Sequence, residues 1–232
     1  MATTRAPLVL AVVGRREAGK TRVIESLVRA FKARGLRVAT AKHVPEEEFS
    51  LDKPGKDSWR HAEAGADAVT IVAPREVSTI RRLRGRGLTF EDVLAMASEG
   101  CDVLLLEGFK SMVGSRPDVP KVAVVKRPEE AKDIEAEGRL RPILAFVGPG
   151  KAEGLGAPYF SFSELGELAE FILERFKPGE KPSVLLFFNA KQVPMNDFVR
   201  KVLRSLILAF MSCLKGVEVR GDERIVVSVE GD

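Results

Sequence analysis

Residues Gly14-Arg15-Arg16-Glu17-Ala18-Gly19-Lys20-Thr21 fit the pattern G-x-x-x-x-G-K-[ST]. An apolar run, Leu8 to Val13, leads into the first glycine. Apolar residues return behind the pattern at helical spacing: Val23, Ile24, Leu27, Val28 and Phe31. Strand, loop and helix in that order are the setting that phosphate chemistry needs. Glycines let the backbone curl so that successive N–H groups face a β-phosphate, and the first turn of the helix adds its positive end. Lys20 supplies a mobile positive charge for the β and γ oxygens. Thr21 offers a hydroxyl to Mg²⁺, a cation that prefers oxygen ligands. Arg15, Arg16, Glu17, Ala18 and Arg22 complete the segment whose backbone would hold the nucleotide.

A site of this kind also needs an acid facing the metal. The stretch "CDVLLLEGF" offers Glu107 at the end of an apolar run, immediately before Gly108. A carboxylate there can bind Mg²⁺ directly or through water, or polarise an attacking water. An ordinary surface acid at a strand end is the alternative. Lys20 and Glu107 are the two residues to which catalysis is assigned, whereas Asp102 reads as a strand-start residue. A second cluster, "FSLDKPGKDSWRHAEAGAD", places Asp52 and Asp57 around a Pro54-Gly55 turn, with Lys53, Lys56, Arg60 and His61 beside them. Its composition fits equally a solvent-facing loop and a mobile loop that closes over a nucleotide, bringing one acid to Mg²⁺. The chain has only 2 histidines, which excludes a histidine-rich metal store.

The elements that would position these residues follow from the hydrophobic pattern. Strands are expected at 8–13, 36–41, 67–73, 102–106, 121–125 and 142–147, several of them continuous apolar runs suited to burial on both faces. The predicted fold is α/β: a P-loop NTPase-type, mainly parallel sheet with helices on both faces, plus a small C-terminal α+β module. Gly35 should stop the first helix in a left-handed conformation. Thr89 with Asp92, and Ser161 with Glu164 ahead of a helix at 164–176, have capping-box spacing.

The linker "KPGEKP", 177–182, separates a nucleotide-binding domain, 1–176, from the module at 183–232. In that module "SVLLFFN" reads as a strand and "EVR-GDER-IVVSVE" as a hairpin. Between them runs an amphipathic helix with Asn196 as cap and Gly216 as stop. Val199, Val202, Leu203, Leu206, Ile207, Phe210 and Leu214 form its apolar face, expected to dock on the core or a second subunit, with a site for a partner protein or ligand as the alternative. Arg81, Arg82, Arg84 and Arg86, around Gly85 and Gly87, are expected at a solvated hairpin tip, with an anion-binding role as the alternative.

Composition bounds the rest. A chain of 232 residues can bury one sizeable core and carry a small second module, and 45% hydrophobic with 30% charged residues is globular rather than disordered. A net charge of +4 suits a phosphate-bearing ligand but does not point to nucleic acid. Cys101 and Cys213 lack CxxC spacing and read as buried, reduced thiols. The apolar run "SLILAFMSCL" falls short of the roughly 20 residues a membrane span needs. A cytoplasmic protein without membrane attachment is expected.

Three further stretches lie in order behind the phosphate loop: "GLRVATAKH" (35–43), "DKPGKDSWRHAEAGA" (52–66) and "DVLLLEGFK" (102–110). Together they resemble the molybdopterin-guanine dinucleotide biosynthesis protein B (MobB) family over roughly residues 7–176, the middle stretch being the most distinctive. The resemblance implies a GTP-binding adaptor, typically homodimeric, that hydrolyses GTP slowly. It would assist a molybdenum cofactor guanylyltransferase, the enzyme that joins a guanylyl group to molybdopterin. Molybdopterin itself would be carried or held by the partner.

Carried onto this chain, Gly14, Gly19, Lys20 and Thr21 match the family's phosphate loop and Glu107 its Walker-B-type acid. Asp52 or Asp57 matches the acid of its mobile loop. Lys42, His43, Arg60, His61 and Lys110 match other motif positions, with a packed, hydrogen-bonded role for His43 as the alternative. The module at 183–232 resembles the extension of archaeal-type members.

Some features depart from the family. Arg15 to Ala18 are larger than the small, serine-rich set common there, and Arg22 stands where a second threonine is frequent. Slow turnover fits this better than lost binding, because backbone alone forms the cradle. No N-K-x-D sequence reads guanine, so GTP over ATP rests on the resemblance. A dethiobiotin synthetase-like kinase or ligase is one alternative function. A GTPase metallochaperone is another, though its usual Cys/His cluster is missing.

Overall fold

The computed structural model describes residues 7–46, 48–83, 87–176, 184–188, 191–193, 195, 197–214 and 225–229. They fall into two compact units, Met1–Phe176 and Lys177–Asp232. In chain order the first unit begins with β1 (Leu8–Gly14), α1 (Lys20–Ala33), β2 (Val38–Lys42), α2 (Asp57–Glu63), β3 (Ala68–Ala73) and β4 (Glu76–Arg81). It continues with α3 (Phe90–Ala97), β5 (Val103–Glu107), α4 (Lys110–Val113), β6 (Lys121–Val124), α5 (Glu129–Glu137), β7 (Ile143–Gly148), β8 (Tyr159–Ser161) and α6 (Leu165–Phe176).

The apolar runs become the middle of a 6-stranded sheet, ordered β2-β5-β1-β6-β7-β8 and parallel throughout. Side chains alternate across a strand, so one unbroken apolar run serves two cores. Leu10, Val12, Val103 and Leu105 pack on one face with Val23, Leu27 and Phe31 of α1 and Leu168 and Ile172 of α6. Ala11, Val13, Leu104 and Leu106 pack on the other with Phe90 and Val93 of α3, Val113 of α4 and Ala131 of α5. Each fully buried Leu, Val or Phe side chain contributes roughly 2 kcal/mol, so these two layers fix the central strands firmly.

Helix ends follow their local chemistry. Gly35 adopts φ 75° after the last turn of α1, as its stop role requires. Thr89 and Asp92 form a full capping box at α3. At α6 the Glu164 carboxylate accepts the Ser161 N–H at 2.7 Å, and that bond holds its carboxyl below the usual carboxylate range.

Four expectations need correction. The strand at 67–73 does not join the main sheet: β3 pairs antiparallel with β4 in a separate 2-stranded sheet. Only Pro74 and Arg75 connect the two strands, and a parallel neighbour would need a long crossover. The arginine cluster around Gly85 and Gly87 has a strand on one side only: Arg81 is the last residue of β4, Arg82 reaches Glu63 at 3.6 Å, and the next described element is α3; Arg84 and Arg86 lie outside the described residues. The loop at 52–66 contains α2, whose one buried residue, Ala62, leaves no periodic signal to read. Cys101 is buried but Cys213 is exposed, since it stands just past the end of a helix.

The second unit has β9 (Val184–Phe188), β10 (Lys191–Gln192), α7 (Asp197–Ser212) and β11 (Ile225–Val229) in a 3-stranded sheet ordered β10-β9-β11. β11 runs parallel to β9, and the strand expected to form a hairpin with it lies outside the described residues, as do Asn196 and Gly216. The expected apolar face of α7 divides. Leu203 and Ile207 are half-buried, whereas Val199, Val202, Leu206, Phe210 and Leu214 are exposed. Among the described residues, no helix is long and apolar enough to cross a membrane.

Candidate phosphate and metal site

Two glycines shape the end of β1. A Cβ on Gly14 would stand 2.4 Å from the Val124 carbonyl oxygen, so only glycine lets β6 pass this close. Gly19 turns the chain into α1 at φ 97°, and a Cβ there would meet the Phe162 ring at 2.8 Å. Between them Glu17 holds φ 59°, an uncommon left-handed conformation for a residue with a side chain. No side chain caps α1, and no acid stands in its first turn. The opening N–H groups and the positive end of the helix dipole are thus left for an anion.

Lys20 and Thr21 open that helix. The Lys20 ammonium donates to the Arg15 carbonyl at 2.7 Å. Burial lowers its pKa; Glu107 opposes this, while the charges of Lys42 and Lys126 add to it. Thr21 Oγ1 donates to Glu107 Oε1 at 3.1 Å. Arg22 lays its guanidinium 5.1 Å from the centre of the Phe162 ring and donates to the Phe162 carbonyl at 3.4 Å.

Glu107 is the last residue of β5, where the sheet's carboxyl edge opens. Its neighbours in register are Val12 on β1 and Lys42 on β2. The Lys42 ammonium lies 3.6 Å from Glu107 Oε1; the glutamate side chain is 14% exposed and the lysine 64%. His43 donates its backbone N–H to the Glu107 carbonyl at 3.0 Å, and its ring packs 5.4 Å from Phe109. Phe109 sits at φ 56°, a second left-handed residue with a side chain, and Lys110 follows it as the start of α4.

The structure therefore gathers Gly14 to Arg22, Lys42, His43, Glu107 and Lys110 at one edge. It does not gather the 52–61 cluster there. Asp52 Oδ1 accepts from the Lys53 N–H at 2.9 Å and the Ser58 hydroxyl at 3.0 Å. Asp57 is 91% exposed, with Arg60 at 4.0 Å, and His61 shares α2 with them. Asp52 and Asp57 keep to partners within their own segment. Sequence reasoning passed over Lys126 and Phe162. The signal for Lys126 was its place just beyond an expected strand end, where ligands of parallel sheets bind.

Among the described residues, no group of three or more His, Cys, Asp or Glu side chains could hold a metal ion. The donors present are one hydroxyl and one carboxylate. Those hard oxygens fit Mg²⁺, whose remaining positions water and phosphate oxygens would fill, and do not suit a thiophilic metal.

The family model for MobB, molybdopterin guanine dinucleotide synthesis protein B, matches residues 9–148. The chain belongs to the MobB family. The match runs from β1 to the end of β7, so it contains the phosphate loop, Lys42 and Glu107. A relative from Methanocaldococcus jannaschii is 24% identical over 228 residues, covering 90% of this chain and 93% of its own. The molybdopterin-guanine dinucleotide biosynthesis adapter protein of Haemophilus influenzae is 34% identical over 128 residues, covering 54% and 67%. Among solved structures, a molybdopterin-guanine biosynthesis protein B superposes with TM-score 0.57 and 31% identity over 73% of this chain and 99% of that one. MobB from Bacillus subtilis gives TM-score 0.56 and 26% identity over 72% and 96%. The second unit lies outside the residues matched to the MobB model.

Proposed function

We propose that this chain binds Mg·GTP at the carboxyl edge of its parallel sheet and serves as the adapter for a molybdenum cofactor guanylyltransferase. That partner attaches GMP to molybdopterin to form the guanine dinucleotide. The observation that carries the reading is the uncapped start of α1 with Thr21 and Glu107 3.1 Å apart, in a chain of the MobB family. The backbone of Gly14 to Arg22 would hold the phosphates, Lys20 would neutralise them, and Thr21 and Glu107 would hold Mg²⁺. A bound Mg²⁺ would supply charge neutralisation at the phosphate oxygens.

The chain's own residues favour holding over turning over. Lys20 has its ammonium held at the loop by the Arg15 carbonyl. Burial, with Lys42 and Lys126 close by, keeps its ammonium below the ordinary value, a setting in which a phosphate anion is welcome. Asp52 or Asp57 would join the metal only if its segment moved from its local partners. Lys110 and His43 flank Glu107, and with Arg60 and His61 they are candidates for meeting the pterin phosphate or the partner. Exposed Ile71, Val72 and Val77 on the β3–β4 hairpin offer an apolar surface suited to a homodimer. A cytoplasmic location fits such an adapter.

The experiment is reconstitution. Purified guanylyltransferase, molybdopterin and Mg·GTP are assayed for guanine dinucleotide formation with and without this protein. A faster or more complete conversion on adding it is the expected outcome. No effect, together with phosphoryl transfer to a small-molecule acceptor by the purified protein alone, would place it among kinases instead.

A further inference from the structure

Glu107 is claimed by more than one cation. Its carboxylate is the Mg²⁺ ligand in the reading above, yet the Lys42 ammonium stands 3.6 Å from the same Oε1 that accepts the Thr21 hydroxyl. This proximity is fixed by the fold. Lys42 and Glu107 are register partners on adjacent parallel strands, both ending at the carboxyl edge, and the His43 N–H ties the two strand ends together at the Glu107 carbonyl. Lys42 is thus a cation beside the carboxylate that also accepts from Thr21, the last residue of the loop pattern, on a side chain exposed enough to swing.

Charge decides what such a group does. A divalent ion held at Glu107 would compete with the ammonium for one carboxylate, and an anion would have to offset the repulsion between the two cations. A nucleoside triphosphate would supply it through its terminal phosphate. A diphosphate lacks that group. We propose that Lys42 discriminates nucleoside triphosphate from diphosphate at this site by leaving Glu107 and pairing with the terminal phosphate. The inference rests on the nucleotide-binding reading above and names the residue that makes the site selective for the loaded nucleotide.

The test uses the full chain, titrated calorimetrically with a non-hydrolysable GTP analogue and with GDP, both in excess Mg²⁺. Lys42→Met should cut triphosphate affinity about tenfold, the size of one charge-assisted hydrogen bond, and leave diphosphate affinity unchanged or tighter. Lys42→Arg keeps the charge and should restore most of the ratio. Because the side chain is largely exposed, both variants should fold, which circular dichroism checks. An unchanged ratio in Lys42→Met, or equal weakening of both ligands, would overturn the inference while leaving the nucleotide site standing. Wild-type protein that binds neither ligand would overturn the underlying reading and this inference with it.

Discussion

The two edges of the parallel sheet handle charge in opposite ways. At the amino edge, ionic groups are matched locally. Asp102, ahead of β5, accepts from Arg37 through its backbone N–H at 2.8 Å, Nε at 3.1 Å and Nη2 at 2.9 Å. Lys121, the first residue of β6, is fully buried and donates to the carbonyls of Arg116 and Arg141. At the carboxyl edge Lys20 donates to a loop carbonyl, no side chain among the described residues caps α1, Lys42 and Thr21 share one carboxylate, and Glu17 and Phe109 hold left-handed backbone. One edge is consumed in holding the fold; at the other, the open start of α1 and the charges of Lys20, Lys42 and Glu107 stand together, as the proposed ligand site requires. A residue's edge, more than its type, tells which of the two it serves.

Substitutions at the amino edge should therefore change stability and leave ligand affinity alone. The largest effect is expected for Lys121→Ala, which opens a cavity and strands two carbonyls. Urea unfolding should show a loss of about 3 kcal/mol, with GTP affinity unchanged.

The same lysine gives a pH signature. Burial lowers its pKa to about 8 from 10.5. Between those values the unfolded chain binds the extra proton, so stability should rise with pH across that window. Below it the cost of the buried ammonium is fully present. The wild-type curve should show this rise relative to Lys121→Met, and parallel curves would contradict it.

A smaller effect, about 1 kcal/mol, is expected for Asp102→Asn, because Arg37 is 57% exposed and water takes over its donors. The smallest concerns the second unit. A chain ending at Phe176 should bind GTP as tightly as the full chain; a folded fragment without affinity would show that the site is not confined to the first unit.

The sequence displayed the carboxyl edge better than the amino edge. Gly14 and Gly19 stand at fixed spacing because backbone geometry admits no side chain there, and such constraints are written locally. Glu107 was visible because an acid ending an unbroken apolar run is unusual. Its pairing with Lys42 was not, since it depends on the register of strands far apart in sequence. Phe162 was missed for the same reason: its contacts with Gly19 and Arg22 exist only once α6 packs beside α1. The strand at 67–73 had the right composition, but the two-residue connection Pro74-Arg75 was the stronger signal and dictated a hairpin. Lys121 gave no warning, because a lysine at a strand start is ordinarily solvated.

The central claim is that the carboxyl edge holds a magnesium nucleotide through the loop at 14–21. The most direct measurement titrates Mg·GTP into the wild-type chain and into Lys20→Ala, with thermal unfolding of both. The account predicts Mg²⁺-dependent binding by the wild type, weakened about a hundredfold or more in Lys20→Ala, with nearly the same unfolding midpoint. A folded Lys20→Ala chain that binds Mg·GTP with wild-type affinity would contradict it.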